Sequence, residues 1–231
     1  MRTFSDLDSD FNSIHLGYRW LRNRAILAEL LDVHYTEHHR KYHTTEHIIK
    51  CLDLHHTFCS WNAKVDLPFN KELVLAILFH DIVYEVGSKE NEKKSAEFAL
   101  EYGKYFTSDF TDPLDVIHWD KVAEIIMATV HDGKEVPTLA ARYMINIDLY
   151  TLGSSREDYL ASSKAIKFEF MPKYGTLEFV YGRNQFLESM IARPSIFYPV
   201  DIPMFDVIFQ KMNERAKINM KDEQVRLTRM V

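Results

Sequence analysis

The chain has 231 residues, of which 46% are hydrophobic and 27% are charged, the composition of an ordinary soluble globular protein. This length allows one large domain or two small ones, with a sizeable core. The formal net charge of -6 argues against a general nucleic-acid binder, because phosphate backbones require a basic surface.

Apolar residues recur at a spacing near 3.6 along most of the chain, which predicts α-helices and no strand. Seven glycines and seven prolines are few for this length and also favour long helices. We predict an all-α fold in one domain, 1–231, with a core over about 18–151 and an additional C-terminal helical layer over about 152–231. The helices are expected at roughly 18–33, 44–61, 70–85, 90–106, 118–131, 138–151, 155–173, 176–192 and 203–222.

Two histidines stand at the beginning of the second predicted helix. His47 shares a helix face with Cys51, Leu54 and Phe58, which is apolar and should point inward. His43 lies one turn earlier, near the helix entrance, where a side chain can reach into a cleft. Two histidines at this spacing can bind one metal ion, or one can be a ligand and the other a proton donor.

The dipeptide His80-Asp81 lies inside the apolar run Leu73–Tyr84. Two ionisable neighbours in a buried helix need compensation, and a metal ion accepts lone pairs from both. A buried hydrogen bond between histidine and aspartate is the alternative interpretation. Glu85 follows Asp81 by one helical turn, where it can hold a metal-bound water or act as a base.

Two more candidates occur in later helices. Asp148 lies between Ile147 and Leu149, and a carboxylate in such apolar surroundings needs a partner, which can be a metal, a helix end or a salt bridge. His131 ends the fifth predicted helix. It can bind a second metal or a phosphate, or it can be a helix-terminal histidine favoured by the helix dipole.

The ordered set of His47, His80-Asp81 and Asp148 resembles the H…HD…D signature of the HD-domain metal-dependent phosphohydrolase superfamily. The segment 42–47 is similar to the Tyr-His-Asn-x-x-His stretch of cyclic-nucleotide phosphodiesterases, which share this fold. The wider chain looks like a bacterial group of predicted HD-superfamily phosphohydrolases. The resemblance implies an HD-like helical bundle, a divalent ion held by these four residues, and His43 as the general acid.

We therefore expect a hydrolase that cleaves a phosphate ester or anhydride of a small molecule, with a nucleotide as the expected substrate. In this chemistry a hydroxide formed at the ion attacks phosphorus, Glu85 orients the water and His43 protonates the leaving oxygen. Histidine and carboxylate ligands suit Mn, Fe, Co, Ni or Zn better than Ca, and Mg also stays open. Cations that can neutralise the substrate are Arg40, Lys41, Lys167, Arg183 and Arg193.

The signature lacks the extension found in cyclic-di-GMP enzymes and the later substrate-reading residues of cyclic-nucleotide phosphodiesterases, so neither substrate is favoured. Two alternatives belong to other classes. One is a signalling or scaffold module that binds metal and nucleotide without cleavage, and the other is a di-iron oxygenase, which needs His131 and one more histidine as ligands for two irons.

The remaining expectations concern partners and location. A homodimer fits a helical domain of this size. Only two cysteines occur, and neither a hydrophobic leader nor an apolar run of 18 residues is present, so we expect a cytoplasmic protein with no membrane partner.

Overall fold

The structure is a computed structural model that describes residues 3–4, 24–61, 70–106, 116–132 and 138–230. These residues form eight α-helices and no strand, which confirms the all-α class. The helices are α1 Arg24–Tyr35, α2 Thr45–Trp61, α3 Asn70–Phe79, α4 Asn91–Phe106, α5 Trp119–Met127, α6 Leu139–Asp148, α7 Arg156–Ile191 and α8 Pro203–Leu227. Short 3-10 segments follow α5 at Ala128–Val130 and α6 at Leu149–Gly153. Among the described helices, none contains a stretch apolar and long enough to cross a bilayer.

The chain divides into two compact units, Met1–Thr129 and Val130–Val231. This division lies earlier than the change of character expected near residue 151. As a result, α6 and Asp148 belong with the C-terminal helices. The first predicted helix, 18–33, corresponds to α1, which the structure describes from Arg24 onwards. The expected start at residue 18 lies outside the described residues.

Helix α3 is the centre of the first unit. Every residue from Glu72 to Phe79 is buried, and α2, α4 and α5 all pack against this helix. A helix that is apolar on all sides is stable only inside a core, which explains why α3 lacks a polar face. The one carboxylate in this stretch, Glu72, accepts the backbone N–H of His118 at 3.1 Å, so its burial is compensated at the start of α5.

Helix α3 ends at Phe79, six residues before the predicted end, so the prediction of a helix through residue 85 was wrong. The following backbone groups find partners outside a helix. The N–H of Val83 donates to Ser95 Oγ at 3.1 Å, and the N–H of Glu85 donates to Asn91 Oδ1 at 3.0 Å. These side-chain acceptors on α4 replace the hydrogen bonds that another helical turn would have supplied.

Helix α7 reverses direction at Gly175, whose backbone has φ 77° and ψ 179°. Tyr159 before this point and Arg183 after it both bind the buried Glu223 of α8. In a straight helix Tyr159 and Arg183 would lie about 36 Å apart, so two arms must fold back on each other. The two helices predicted for 155–173 and 176–192 correspond to these arms.

The buried Glu223 carboxylate is held in its charged form. Burial alone would raise the pKa of Glu223, but the Arg183 guanidinium and its hydrogen bonds outweigh this effect and lower it below the ordinary value. Arg183 Nε lies 3.0 Å from Oε1 and Nη2 lies 3.2 Å from Oε2, while the Tyr159 hydroxyl donates to Oε2. One carboxylate therefore joins α8 to both arms of α7.

We predict that Gly175→Ala lowers the free energy of unfolding by about 1–3 kcal/mol, because its φ and ψ fall in a region that only glycine occupies without strain. A Cβ at this position would have room, with Glu178 Oε2 nearest at 3.6 Å, so the cost is one of backbone conformation. The measurement is urea unfolding of the whole chain.

Gly182→Ala is the matched control on the same helix. No atom lies within 4 Å of a Cβ built there, and its backbone is helical, so we expect a gain of up to about 1 kcal/mol. Equal stability of Gly175→Ala and the unsubstituted protein would contradict the reversal at Gly175.

Candidate metal centre

Three side chains of the first unit bring their ligand atoms together. His47 lies in the first turns of α2, and His80 and Asp81 directly follow the last residue of α3. The Nε2 atoms of His47 and His80 are 3.3 Å apart, and Asp81 Oδ2 lies 3.2 Å from the His80 nitrogen and 3.7 Å from the His47 nitrogen. Atoms bound to one ion at 2.0–2.2 Å lie about 3.0–3.5 Å from each other. The three residues, which we call the His-His-Asp triad, could therefore hold a metal ion.

The ring of His80 is oriented by the helix that precedes it. Its Nδ1 lies 2.9 Å from the carbonyl oxygen of Ile77, and its backbone N–H still donates to Ala76 O at 2.9 Å. A carbonyl only accepts, so the proton of the neutral ring is on Nδ1 and the lone pair on Nε2 faces the triad. Backbone hydrogen bonds of this kind fix the tautomer of metal-binding histidines.

The triad concentrates lone pairs in a place that water hardly reaches. The side chains of His47 and His80 are 3% and 2% exposed, and that of Asp81 is 14% exposed. Burial would raise the pKa of Asp81, but the nearby His80, His43 and His47 outweigh it and hold the pKa well below the usual range. An ionised carboxylate facing two imidazole nitrogens requires a proton or a cation between them.

A shared proton and a metal ion differ in how many of these contacts they satisfy. One proton on His47 Nε2 can bridge to His80, and a proton on His80 Nε2 can bridge to Asp81. The second arrangement is the buried hydrogen bond between histidine and aspartate, which was the alternative interpretation of His80-Asp81 in the sequence. A divalent ion between the three residues would contact all three atoms at once.

The ring of His43 lies beside the triad. Its ring is stacked on Tyr84 with centroids 4.3 Å apart, and its edge contact with Tyr42 is at 4.9 Å. The centroids of His43 and His47 are 6.2 Å apart. The expected division of roles, in which His47 is the ligand and His43 the proton donor, stays a prediction.

The geometric reason given for Glu85 was wrong. Because α3 ends at Phe79, Glu85 is not one helical turn beyond Asp81 but lies in the following loop, with an exposed side chain. Its backbone is held by Asn91, which accepts from the Glu85 N–H and donates to the Glu85 carbonyl at 2.9 Å. A role for Glu85 in orienting water stays a prediction without that alignment.

Two of the cations expected to meet substrate are already engaged. Arg40 is 1% exposed, and its guanidinium donates to Glu37 and to three backbone carbonyls. Arg183 binds both oxygens of Glu223. For these two residues a structural role replaces the expected contact with phosphate. Lys41 is exposed and donates from Nζ to the carbonyl of His38 at 2.6 Å.

The second unit pairs His131 with Asp148. His131 Nε2 lies 2.8 Å from Asp148 Oδ2, and the Arg193 guanidinium donates to the His131 carbonyl. His131 has φ 54°, a left-handed conformation that costs a non-glycine residue of order 1–3 kcal/mol. Asp148 thus has His131 as a hydrogen-bonding partner, while metal binding by Asp148 and His131 stays a prediction. The pairing could not be read from sequence, because it depends on the backbone turn at His131.

Comparison with known proteins adds no family to this description. No protein-family model, no curated protein and no solved structure matches this chain. Membership of the HD-domain superfamily therefore stays a prediction from the residues themselves.

We predict that His47→Ala lowers the affinity of the protein for Co²⁺ or Zn²⁺ by more than about 100-fold, since loss of an outer-sphere partner alone costs about 10–100-fold. The measurement is titration calorimetry on the metal-free protein. His56→Ala is the matched control, because His56 is an exposed histidine on the same helix. Unchanged affinity in His47→Ala would exclude His47 as a ligand.

Proposed function

We propose that this protein is a metal-dependent phosphohydrolase that cleaves a phosphate ester or anhydride of a small molecule, with a nucleotide as the expected substrate. The observation that carries the proposal is the buried His-His-Asp triad with the imidazole of His43 beside it. The resemblance of the ordered residues to the H…HD…D signature supports it, and Asp148 is the fourth ligand in that scheme.

The donor set indicates the kind of ion and the chemistry. Two imidazole nitrogens and a carboxylate oxygen suit Mn, Fe, Co, Ni or Zn better than Ca. A divalent ion held there would lower the pKa of a bound water towards neutrality and polarise a phosphoryl oxygen, and both effects favour hydrolysis at phosphorus.

The residues of the chain supply the remaining parts of the reaction. The ionised Asp81 and the Nε2 lone pair of His80 would hold the cation, and the hydrogen bond to the Ile77 carbonyl keeps that lone pair directed inward. The stack on Tyr84 restrains the ring of His43. A restrained imidazole next to the metal centre is suited to general acid catalysis.

The proposed step balances as a hydrolysis. The oxygen of water forms a bond to phosphorus, and the bond from phosphorus to the leaving oxygen breaks. His43 gives its proton to the leaving oxygen, and the water loses a proton towards Glu85 or bulk solvent. The products are a phosphate or phosphate monoester and the free leaving group, with no oxidant or second substrate.

We expect metal-dependent phosphate release when the protein is incubated with a panel of nucleotides and small phosphate esters in the presence of Mn²⁺, Co²⁺, Ni²⁺, Mg²⁺ or Zn²⁺. Asp81→Ala is the blank, because it removes a ligand and leaves His80 without its ionised neighbour. Release by the unsubstituted protein and none by Asp81→Ala is the expected result.

If protein that is shown to contain metal releases no phosphate from any substrate of this panel, the result would count against the proposal. Nucleotide binding without turnover would then identify a binding module, and oxygen uptake by the iron-loaded protein would identify an oxygenase. A diesterase of the same class is tested in parallel by including dinucleotides and following the separated products.

We predict that His43→Ala keeps the metal affinity and lowers kcat by about 10²–10⁴-fold, the usual contribution of a general acid. The loss should be much smaller for a nitrophenyl ester, because nitrophenolate leaves without protonation. The measurement compares kcat for nitrophenyl and alkyl phosphate esters in both proteins. Equal losses on the two esters, or loss of the metal, would exclude the proposed role of His43.

A further inference from the structure

Arg40 is a buried cation in the first unit. It is 1% exposed and ranks among the largest fully buried side chains of the described residues. A charge in this position is tolerated only if its partners compensate the loss of water. Its partners therefore indicate what the residue does.

The guanidinium of Arg40 joins two loops of the candidate site. Nη1 donates to the carbonyl of His43 at 3.1 Å and to the carbonyl of Asp81 at 2.7 Å, and Nη2 donates to the carbonyl of Ile82 at 3.0 Å. The first carbonyl precedes α2, and the other two follow α3. Nε donates to Glu37 Oε2 at 2.9 Å, which supplies an opposite charge.

Two aromatic rings enclose the same guanidinium. Its central carbon lies 5.1 Å from the ring centroid of Tyr35 and 5.2 Å from that of Tyr84. Tyr84 in turn stacks on the imidazole of His43. Arg40 thus restrains His43 twice, at its backbone carbonyl and through the ring of Tyr84.

We propose that Arg40 is a positioning residue, which fixes the backbone of the ligand Asp81 and the imidazole of His43 relative to each other. The proposal rests on the metal site of the proposed function. A lysine could not replace it, because a single ammonium nitrogen cannot reproduce the planar fork that reaches three carbonyls and packs between two rings. Positions held within about 0.5 Å are what a metal centre and a proton donor need in order to act together.

A purely structural role and a positioning role predict different results for Arg40→Lys. Under either role, Arg40→Lys should unfold at a lower temperature than the unsubstituted protein. Only positioning also changes the metal site, so the test is the binding of Co²⁺, whose visible absorption reports the coordination geometry. This measurement does not require turnover, so it distinguishes failure of this proposal from failure of the proposed hydrolysis.

In the whole chain, Arg40→Lys should lower the Co²⁺ affinity by about 10–100-fold and alter the visible spectrum of the bound ion. Arg183→Lys is the matched control, since it replaces another largely buried guanidinium in a bidentate ion pair, in the second unit. The control should lose stability and keep the Co²⁺ affinity and spectrum. Unchanged affinity and spectrum in folded Arg40→Lys would overturn the proposal.

If Arg40→Lys does not fold, Tyr84→Leu tests the same idea, because it removes the ring between Arg40 and His43 and keeps the hydrogen bonds of the guanidinium. The reaction of His43 with diethyl pyrocarbonate, followed by mass spectrometry, should then become several-fold faster than in the unsubstituted protein. His56, which is exposed, is the internal reference. An unchanged ratio of the two rates would overturn the proposal.

Discussion

The candidate site depends on two adjacent residues whose ligand atoms point to the same place. Adjacent residues inside an α-helix point about 100° apart, but these two residues directly follow the end of a helix. His80 Nε2 and Asp81 Oδ2 lie 3.2 Å apart directly after the last residue of α3, Phe79. The last turn of α3 also contributes to the site, because the carbonyl of Ile77 in that turn orients the ring of His80. The end of one buried helix thus positions two candidate ligands and orients the ring of one of them.

The same helix end leaves carbonyl groups that need donors. Arg40 satisfies those of Asp81 and Ile82, and its positive charge is favourable at the C-terminal end of a helix. The candidate metal site and the partners of the buried guanidinium thus both lie at the end of α3. A helix continuing to residue 85 would have placed the carbonyl of Asp81 in its own hydrogen bonds and removed that partner from Arg40.

Much of the fold follows from periodicity. The predicted start and end of α2 and α4 agree with the structure within one residue, and α8 begins where it was expected. The end of α3 could not be predicted, because Ser95 and Asn91, which capture its backbone groups, belong to the next helix. Hydrogen bonds between distant side chains and backbone leave no periodic pattern in a sequence.

The ligand residues of the candidate site could be predicted from the sequence, but the residues that hold those ligands in place could not. His47, His80 and Asp81 are conspicuous as polar residues in apolar helical runs, and the structure brings their ligand atoms together. Arg40 was recognised only as a positive charge near the site. The sequence shows that an arginine is present, but it does not show whether the guanidinium is exposed to solvent or buried against carbonyl groups.

The folded-back arms of α7 have a consequence for how this chain can change in length. Glu223 binds one partner from each arm, with Tyr159 and Arg183 on opposite sides of the reversal at Gly175. One inserted residue advances a helix by 1.5 Å and rotates it by about 100°, which would carry either partner away from the carboxylate. Insertions and deletions between these two positions should therefore be selected against in either arm, because a second change in the other arm would displace the second partner without restoring the first.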